Sequence, residues 1–276
     1  MGQITATEVS KLRKATGAGM MDCKKALEET NGNFDKAIEI IRKKGQLIAN
    51  KRADREASEG VVIAKVSDDN RRGAMIVLNC ETDFVAKNES FVGFAYSILD
   101  KAISEEPSDL NELKKLEIGD RTIDEKVVEQ IGVIGEKISL SGYEKLEAES
   151  VTAYIHPGNK LASMVGLNIK DLQPQIGKDM AMQIAAMNPV AVDKEDVPQE
   201  IIDKELEIGK EQAMREGKPE NLLEKIAMGK LGKFYKESTL MNQEFIKDNK
   251  KTVRQFLQEY NKNLTITGFK RFSLTD

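Results

Sequence analysis

At 276 residues and 40% hydrophobic content the chain can bury more than one core, and 42 basic against 46 acidic residues leave a net charge of only −4. No global field therefore draws nucleic acid. Two cysteines and a single histidine, His156, are too few for a disulfide framework, a zinc cluster or the usual Cys/His and Ser/His dyads.

The chain also lacks a nucleotide cradle. No GxxxxGK occurs, and Gly17-Ala18-Gly19-Met20-Met21-Asp22 lacks the third glycine of a dinucleotide loop and follows a helix instead of a strand. These patterns predict no cofactor, no metal and no active site of the chain's own. No run is apolar enough to cross a bilayer, and the opening MGQITATEVSKL lacks the hydrophobic stretch of a secretion signal, so the expectation is a cytoplasmic protein without membrane contact.

Residues 1–55 predict three short helices. Thr5 and Glu8 form a TxxE capping box ahead of Val9 and Leu12, and Asp22 is placed to cap a second helix with Cys23, Ala26 and Leu27. Asn33 opens a third, striped by Phe34, Ala37, Ile38 and Ile41, which Gly45 is expected to end. Gly17 and Gly19 permit a tight turn before Met20 and Met21, which either complete the small core or face outward as adaptable contact residues. Such a unit is similar to ubiquitin-associated domains. Gln46 to Glu59 read as a solvated helical linker, and the basic cluster of Lys43, Lys44, Lys51, Arg52 and Arg55 that overlaps it has acidic neighbours and no aromatics, which argues against a stable nucleic-acid site.

Residues 56–142 and 143–196 nearly repeat one another. Val61-Val62-Ile63, a polar turn and Met75 to Asn79 parallel Val151 to Ile155, a Pro157-Gly158-Asn159 turn and Met164 to Asn168. Each copy reads as a hairpin leading into a helix, with Phe91 to Leu99 in the first and Met180, Ile184 and Met187 in the second. The fold class predicted is α+β: two related subdomains, each an antiparallel sheet covered by helices on one face. Between them lie a helix with Leu110 and Leu113, and another opened by Thr122 and Glu125 and striped by Val127, Ile131, Ile134 and Ile138.

Residues 197–240 read as an inserted antiparallel helical hairpin, with Pro198 at its start and Gly217 and Pro219 at its turn. Residues 241–276 then return to the second subdomain, with a helix capped by Thr252 and a last strand from Ile266 to Leu274.

The most informative stretch joins the first hairpin to its helix: Asn79-Cys80-Glu81-Thr82-Asp83-Phe84-Val85-Ala86-Lys87-Asn88. A phenylalanine beside a carboxylate on a short connection either caps the local core or is held out for use. The run TDFVAKNESF, together with TGAGMMDCKKALEE at Thr16 to Glu29, resembles the two hallmarks of the elongation factor Ts family, exchange factors for the translational GTPase elongation factor Tu. The resemblance implies a non-enzymatic protein that promotes GDP release from that GTPase. It implies that Thr82, Asp83, Phe84 and Val85 dislocate the partner's Mg²⁺, and that Leu12, Met20, Met21, His156 and Gly158 bind the partner. The hairpin either pairs with a second copy or stands alone, and the resemblance implies loss of an additional C-terminal helix that family members often carry. A ubiquitin-associated-like or RNA-associated adaptor is the alternative, and it accounts only for the first fifth of the chain.

Overall fold

The computed structural model describes residues 4–275. Helices α1 (Ala6–Thr16), α2 (Met20–Glu29) and α3 (Phe34–Lys51) enclose a small core of Val9, Leu12, Cys23, Ala26, Leu27 and Ala37. The Thr5 box is present: its backbone N–H donates to Glu8 Oε2 at 2.7 Å, and its hydroxyl oxygen accepts from the Glu8 amide at 3.3 Å, satisfying donors that the first helical turn leaves open. Asp22 does not cap α2. That position falls to Gly19, and Asp22 instead pairs with Lys44 of α3.

Strands β1 (Glu59–Val66) and β2 (Arg72–Cys80) pair antiparallel with Val62 opposite Val77. A four-residue helix α4 (Asp83–Ala86) then leads into α5 (Glu89–Glu105). Because side chains alternate along a strand, Val61, Ile63, Ala74, Ile76 and Leu78 face α5, where they bury Phe91, Ala95, Ile98 and Leu99. After α6 (Leu110–Lys115) and the short β3 (Glu117–Ile118) and β4 (Arg121–Thr122), the Thr122/Glu125 box opens α7 (Ile123–Ile134).

Three expectations are corrected in this region. Gly45 does not end α3. It is buried where α3 crosses α7, and a Cβ on Gly132 would lie 2.7 Å from the Gly45 Cα, so the glycine serves close approach of two helices. The three-helix unit is thereby packed on the first subdomain, and the expected linker begins as the last turn and a half of α3. The stripe drawn through Ile138 also overran, since α7 stops at Gly135 and Ile138 enters the core ahead of β5 (Ser139–Glu147). That strand pairs with β2, giving the order β1-β2-β5, and the expected boundary after residue 142 falls inside it.

The second copy follows the pattern of the first. Strands β6 (Ser150–Ile155) and β7 (Leu161–Leu167) form a hairpin leading to α8 (Pro174–Met187). The arms α9 (Gln199–Arg215) and α10 (Glu220–Ser238) run antiparallel around a seam of Ala213, Leu223, Ala227 and Leu231. The chain returns through the short hairpin β8 (Glu244–Phe245) and β9 (Asp248–Thr252), then α11 (Val253–Tyr260), capped by Thr252 and Gln255, and ends in β10 (Ile266–Ser273) beside β7. Val165, Leu167, Met180, Ile184, Phe256 and Leu257 form the second core, in which the Phe245 and Phe256 rings stack at 4.1 Å.

The two sheets meet face to face. Val62, Ala64, Met75 and Val77 of the first pack on Ala162 and Met164 of the second, leaving α5 and α8 on the outer faces. The architecture is α+β, as the patterning predicts, and this shared layer makes the two halves one support for the turns at their edges.

Candidate functional site

The site begins where β2 stops. Cys80 is buried, its Sγ lies 3.1 Å from the Thr82 carbonyl oxygen, and burial pushes its thiol up to about 12; it is an inert anchor. Thr82 occupies the N-cap of α4, where its hydroxyl oxygen accepts from the Val85 amide at 3.4 Å. The same hydroxyl donates to Glu136 Oε1 at 2.7 Å, and the Thr82 backbone N–H donates to Glu136 Oε2 at 3.0 Å.

Glu81 is held just as firmly. Arg52, at the end of α3, donates to its two oxygens at 2.7 and 3.0 Å, and the Lys137 amide donates to Oε1 at 2.6 Å. The Lys137 amide first, and Arg52 after it, hold the Glu81 carboxyl below the usual carboxylate range.

With Ala86 buried and Val85 half-buried against the core, one turn of helix is fixed at both ends. Phe84 then stands 83% exposed. An aromatic left in water forgoes roughly 2 to 3 kcal/mol of burial, on a support too well tied to let it fold inward. Beside it the Asp83 carboxylate pairs with Lys87 at 2.6 Å, and Lys87 first, with a smaller contribution from Lys160, lowers its pKa. We refer to Thr82–Val85 as the prong.

Lys160 links the prong to the second subdomain. Its amine pairs with Glu59 at 2.8 Å, and Glu59 lies opposite Cys80 in the β1–β2 register. The preceding turn docks on the open edge of β1, where the Val62 N–H donates to the Asn159 carbonyl at 2.6 Å. His156 and Gly158 are exposed on this turn, with His156 Nδ1 3.0 Å from the Tyr154 hydroxyl and Gly158 at φ +91°. The structure thus brings Thr82–Val85 and His156–Gly158, from different halves, to one edge of the molecule.

Met20 and Met21 are 60% and 62% exposed. They line a groove of about 360 Å³ with Ile4, Val9, Arg13 and Lys24. Leu12 requires correction: its side chain is fully buried among the three helices, so it holds them together and offers no surface to a partner. One residue along a helix turns the side chain by about 100°, and the neighbour that reaches the groove is Arg13.

Sequence reasoning also missed Arg52, Glu81, Glu136 and Lys137. In sequence Arg52 belongs to a basic cluster with acidic neighbours, and nothing local marks Glu136 as a partner of Thr82. Among the described residues no group of three or more His, Cys, Asp or Glu side chains is placed to hold a metal ion, and no helix is long and apolar enough to cross a membrane.

Comparison with known proteins sets the class. The family model described as Elongation factor TS matches residues 81–276, from the base of the prong to the last strand, which makes this a translation elongation factor. Elongation factor Ts of Porphyromonas gingivalis is 53% identical over 272 residues, 98% of each chain. That of Amoebophilus asiaticus is 53% identical over 270 residues, 97% of this chain and 98% of its own, and that of Christiangramia forsetii is 51% identical over 275 residues, 99% of this chain and all of its own. The chain belongs to the elongation factor Ts family.

Proposed function

We propose that the protein binds elongation factor Tu carrying GDP and promotes release of the nucleotide by disturbing its Mg²⁺ and phosphate site, so that GTP can rebind. The observation that carries this reading is Phe84, 83% exposed on a one-turn helix tied down at both ends, with an ionised carboxylate beside it. In this reading Phe84 is the wedge and Asp83 acts on the hydration shell of the partner's metal. Mg²⁺ demands near-ideal octahedral geometry and keeps several waters, so a carboxylate brought into that shell competes for it and reorients what remains. Met20 and Met21 supply adaptable apolar contact on the GTPase domain, and the turn of His156 and Gly158 meets a second part of the partner.

The energetics are within reach of so small a contact. A thousandfold acceleration lowers the barrier by about 4 kcal/mol. Burial of one phenylalanine in the complex supplies roughly 2 to 3 kcal/mol, and loss of metal–phosphate attraction contributes the remainder. Linkage fixes the sign: whatever weakens GDP on the partner is weakened by GDP to the same degree. The protein therefore binds nucleotide-free partner more tightly than the GDP form, and excess GTP displaces it without any bond being made or broken.

Stopped-flow release of a fluorescent GDP analogue from elongation factor Tu tests the reading. Release that is accelerated by the wild-type protein and much less by Phe84→Ala is the expected result. A wild-type protein that leaves the release rate unchanged would overturn it.

A further inference from the structure

We infer that the dipeptide Glu136–Lys137, between α7 and β5, is the positioning element that aims the prong and ties it to the N-terminal helices. The inference rests on the exchange reading above and deepens it. A single helical turn has no stability of its own, because nucleation fixes several residues for one hydrogen bond. The aim of Phe84 and Asp83 must therefore come from outside α4. Glu136 supplies it: both of its oxygens accept from Thr82, one from the backbone N–H at 3.0 Å and one from the hydroxyl at 2.7 Å. Bonds to an ionised carboxylate are shorter and stronger than neutral ones, and the cap that Thr82 itself makes to Val85 is longer, at 3.4 Å.

Lys137 works in the opposite direction. Its backbone N–H holds Glu81 at 2.6 Å, while its amine donates to the carbonyls of Ala53 at 2.6 Å and Arg55 at 2.7 Å, in the segment that follows α3. Arg52 closes the ring by gripping Glu81. The last helix of Met20's module is thereby joined to the base of the prong by a loop of four residues, Arg52, Glu81, Lys137 and Ala53. Neither Glu136 nor Lys137 belongs to the exposed contact residues, so each acts through others.

The two neighbours should then fail differently. A loosened prong still docks but acts less often in the productive orientation, which lowers kcat with KM little changed. A loosened spacing between two contact regions lowers the effective concentration of the second once the first is engaged, which raises KM. Stopped-flow GDP release from elongation factor Tu with the full chain reads both parameters, and amide hydrogen exchange reads the prong directly. Glu136→Gln is expected to lower kcat about tenfold, with KM within about twofold, and to speed exchange of the Val85 amide. Lys137→Met is expected to raise KM about fivefold with kcat within about twofold.

If Glu136→Gln melts early, the same kinetics and Val85 exchange, read at a temperature below its melting transition, must still show the loss of kcat. Active wild type with Glu136→Gln and Lys137→Met kinetically unchanged would overturn this inference alone, as would faster amide exchange at Val85 without loss of kcat. An inactive wild type would overturn the exchange reading and this one together.

Discussion

The two halves of the core use the same slot in opposite ways. Each has a hairpin whose second strand runs into a connection and then a helix, α5 in one case and α8 in the other. In the second half the connection Asn168 to Gln173 is folded in: Ile169 and Leu172 are half-buried against the core, and Asn168 bonds the Thr265 amide at 2.9 Å and the Asn263 carbonyl at 2.8 Å. In the first half the corresponding connection carries a phenylalanine that touches nothing of its own core. What separates them is where the polar ties sit. Asn168 spends its side chain closing the connection down on its own subdomain, whereas Glu136 and Glu81 tie α4 at its root and leave its outer face bare. A scaffold duplicated in pattern thus yields one structural turn and one that projects.

Alanine substitutions of the exposed Phe84 and the buried Phe91 sharpen the contrast most. Phe91, fully buried seven residues beyond Phe84, should cost about 3 to 5 kcal/mol when cut to alanine, by lost transfer and an unfilled cavity, seen as a large fall in the urea midpoint. Phe84→Ala should leave that midpoint within about 0.5 kcal/mol of wild type while lowering the rate of GDP release from elongation factor Tu by roughly thirtyfold, the kinetic equivalent of about 2 kcal/mol at 1.4 per decade. A Phe84→Ala protein that loses stability and keeps its rate would reverse the assignment. In the second half Leu172→Ala should do the converse on a smaller scale. It should cost about 1 to 2 kcal/mol of stability, because only part of the side chain is buried, with GDP release unchanged when corrected for folded protein.

The parts of this arrangement that are local in sequence are the parts legible there. The helix caps at Thr5, Thr122 and Thr252, the two hairpins with their following helices, and the antiparallel arms around Gly217 and Pro219 all depend on residues a few positions apart, and each stands where the pattern places it. Gly45 differs from expectation because glycine marks both a helix end and a close crossing, and only the presence of Gly132 opposite distinguishes them. Strand β5 escaped because SLSGYEKLE exposes polar residues along much of its length and lacks the branched apolar run of β2. Leu12, expected as a partner-binding residue, is buried, while Arg13 one step along the helix lines the groove, a difference that the apolar spacing of Val9 and Leu12 already favours. The ties of the prong were hidden for a different reason. Arg52 lies 29 residues from Glu81, and Glu136 lies 54 from Thr82, distances over which one sequence carries no signal of contact.

The smallest effect concerns Asp83, and it isolates charge from shape. Lys87, one turn along, holds the Asp83 carboxyl below its ordinary value of 3.8. A group whose pKa is lower in the folded state binds fewer protons there than in the unfolded chain, so it adds stability above the unfolded value and loses that contribution as pH falls through the folded one. The difference in urea midpoint between wild type and Asp83→Asn should therefore be constant from pH 8 down to about 5 and shrink progressively below that, as the unfolded carboxyl begins to protonate. Both groups face solvent, so the plateau should be small. GDP release should behave otherwise: if the carboxylate acts on the partner's metal shell, Asp83→Asn should slow release across the whole range from pH 6 to 8, where wild-type Asp83 is fully ionised. A deficit that appears in the urea midpoint and not in the release rate would assign Asp83 to holding α4 in place and remove it from the exchange step.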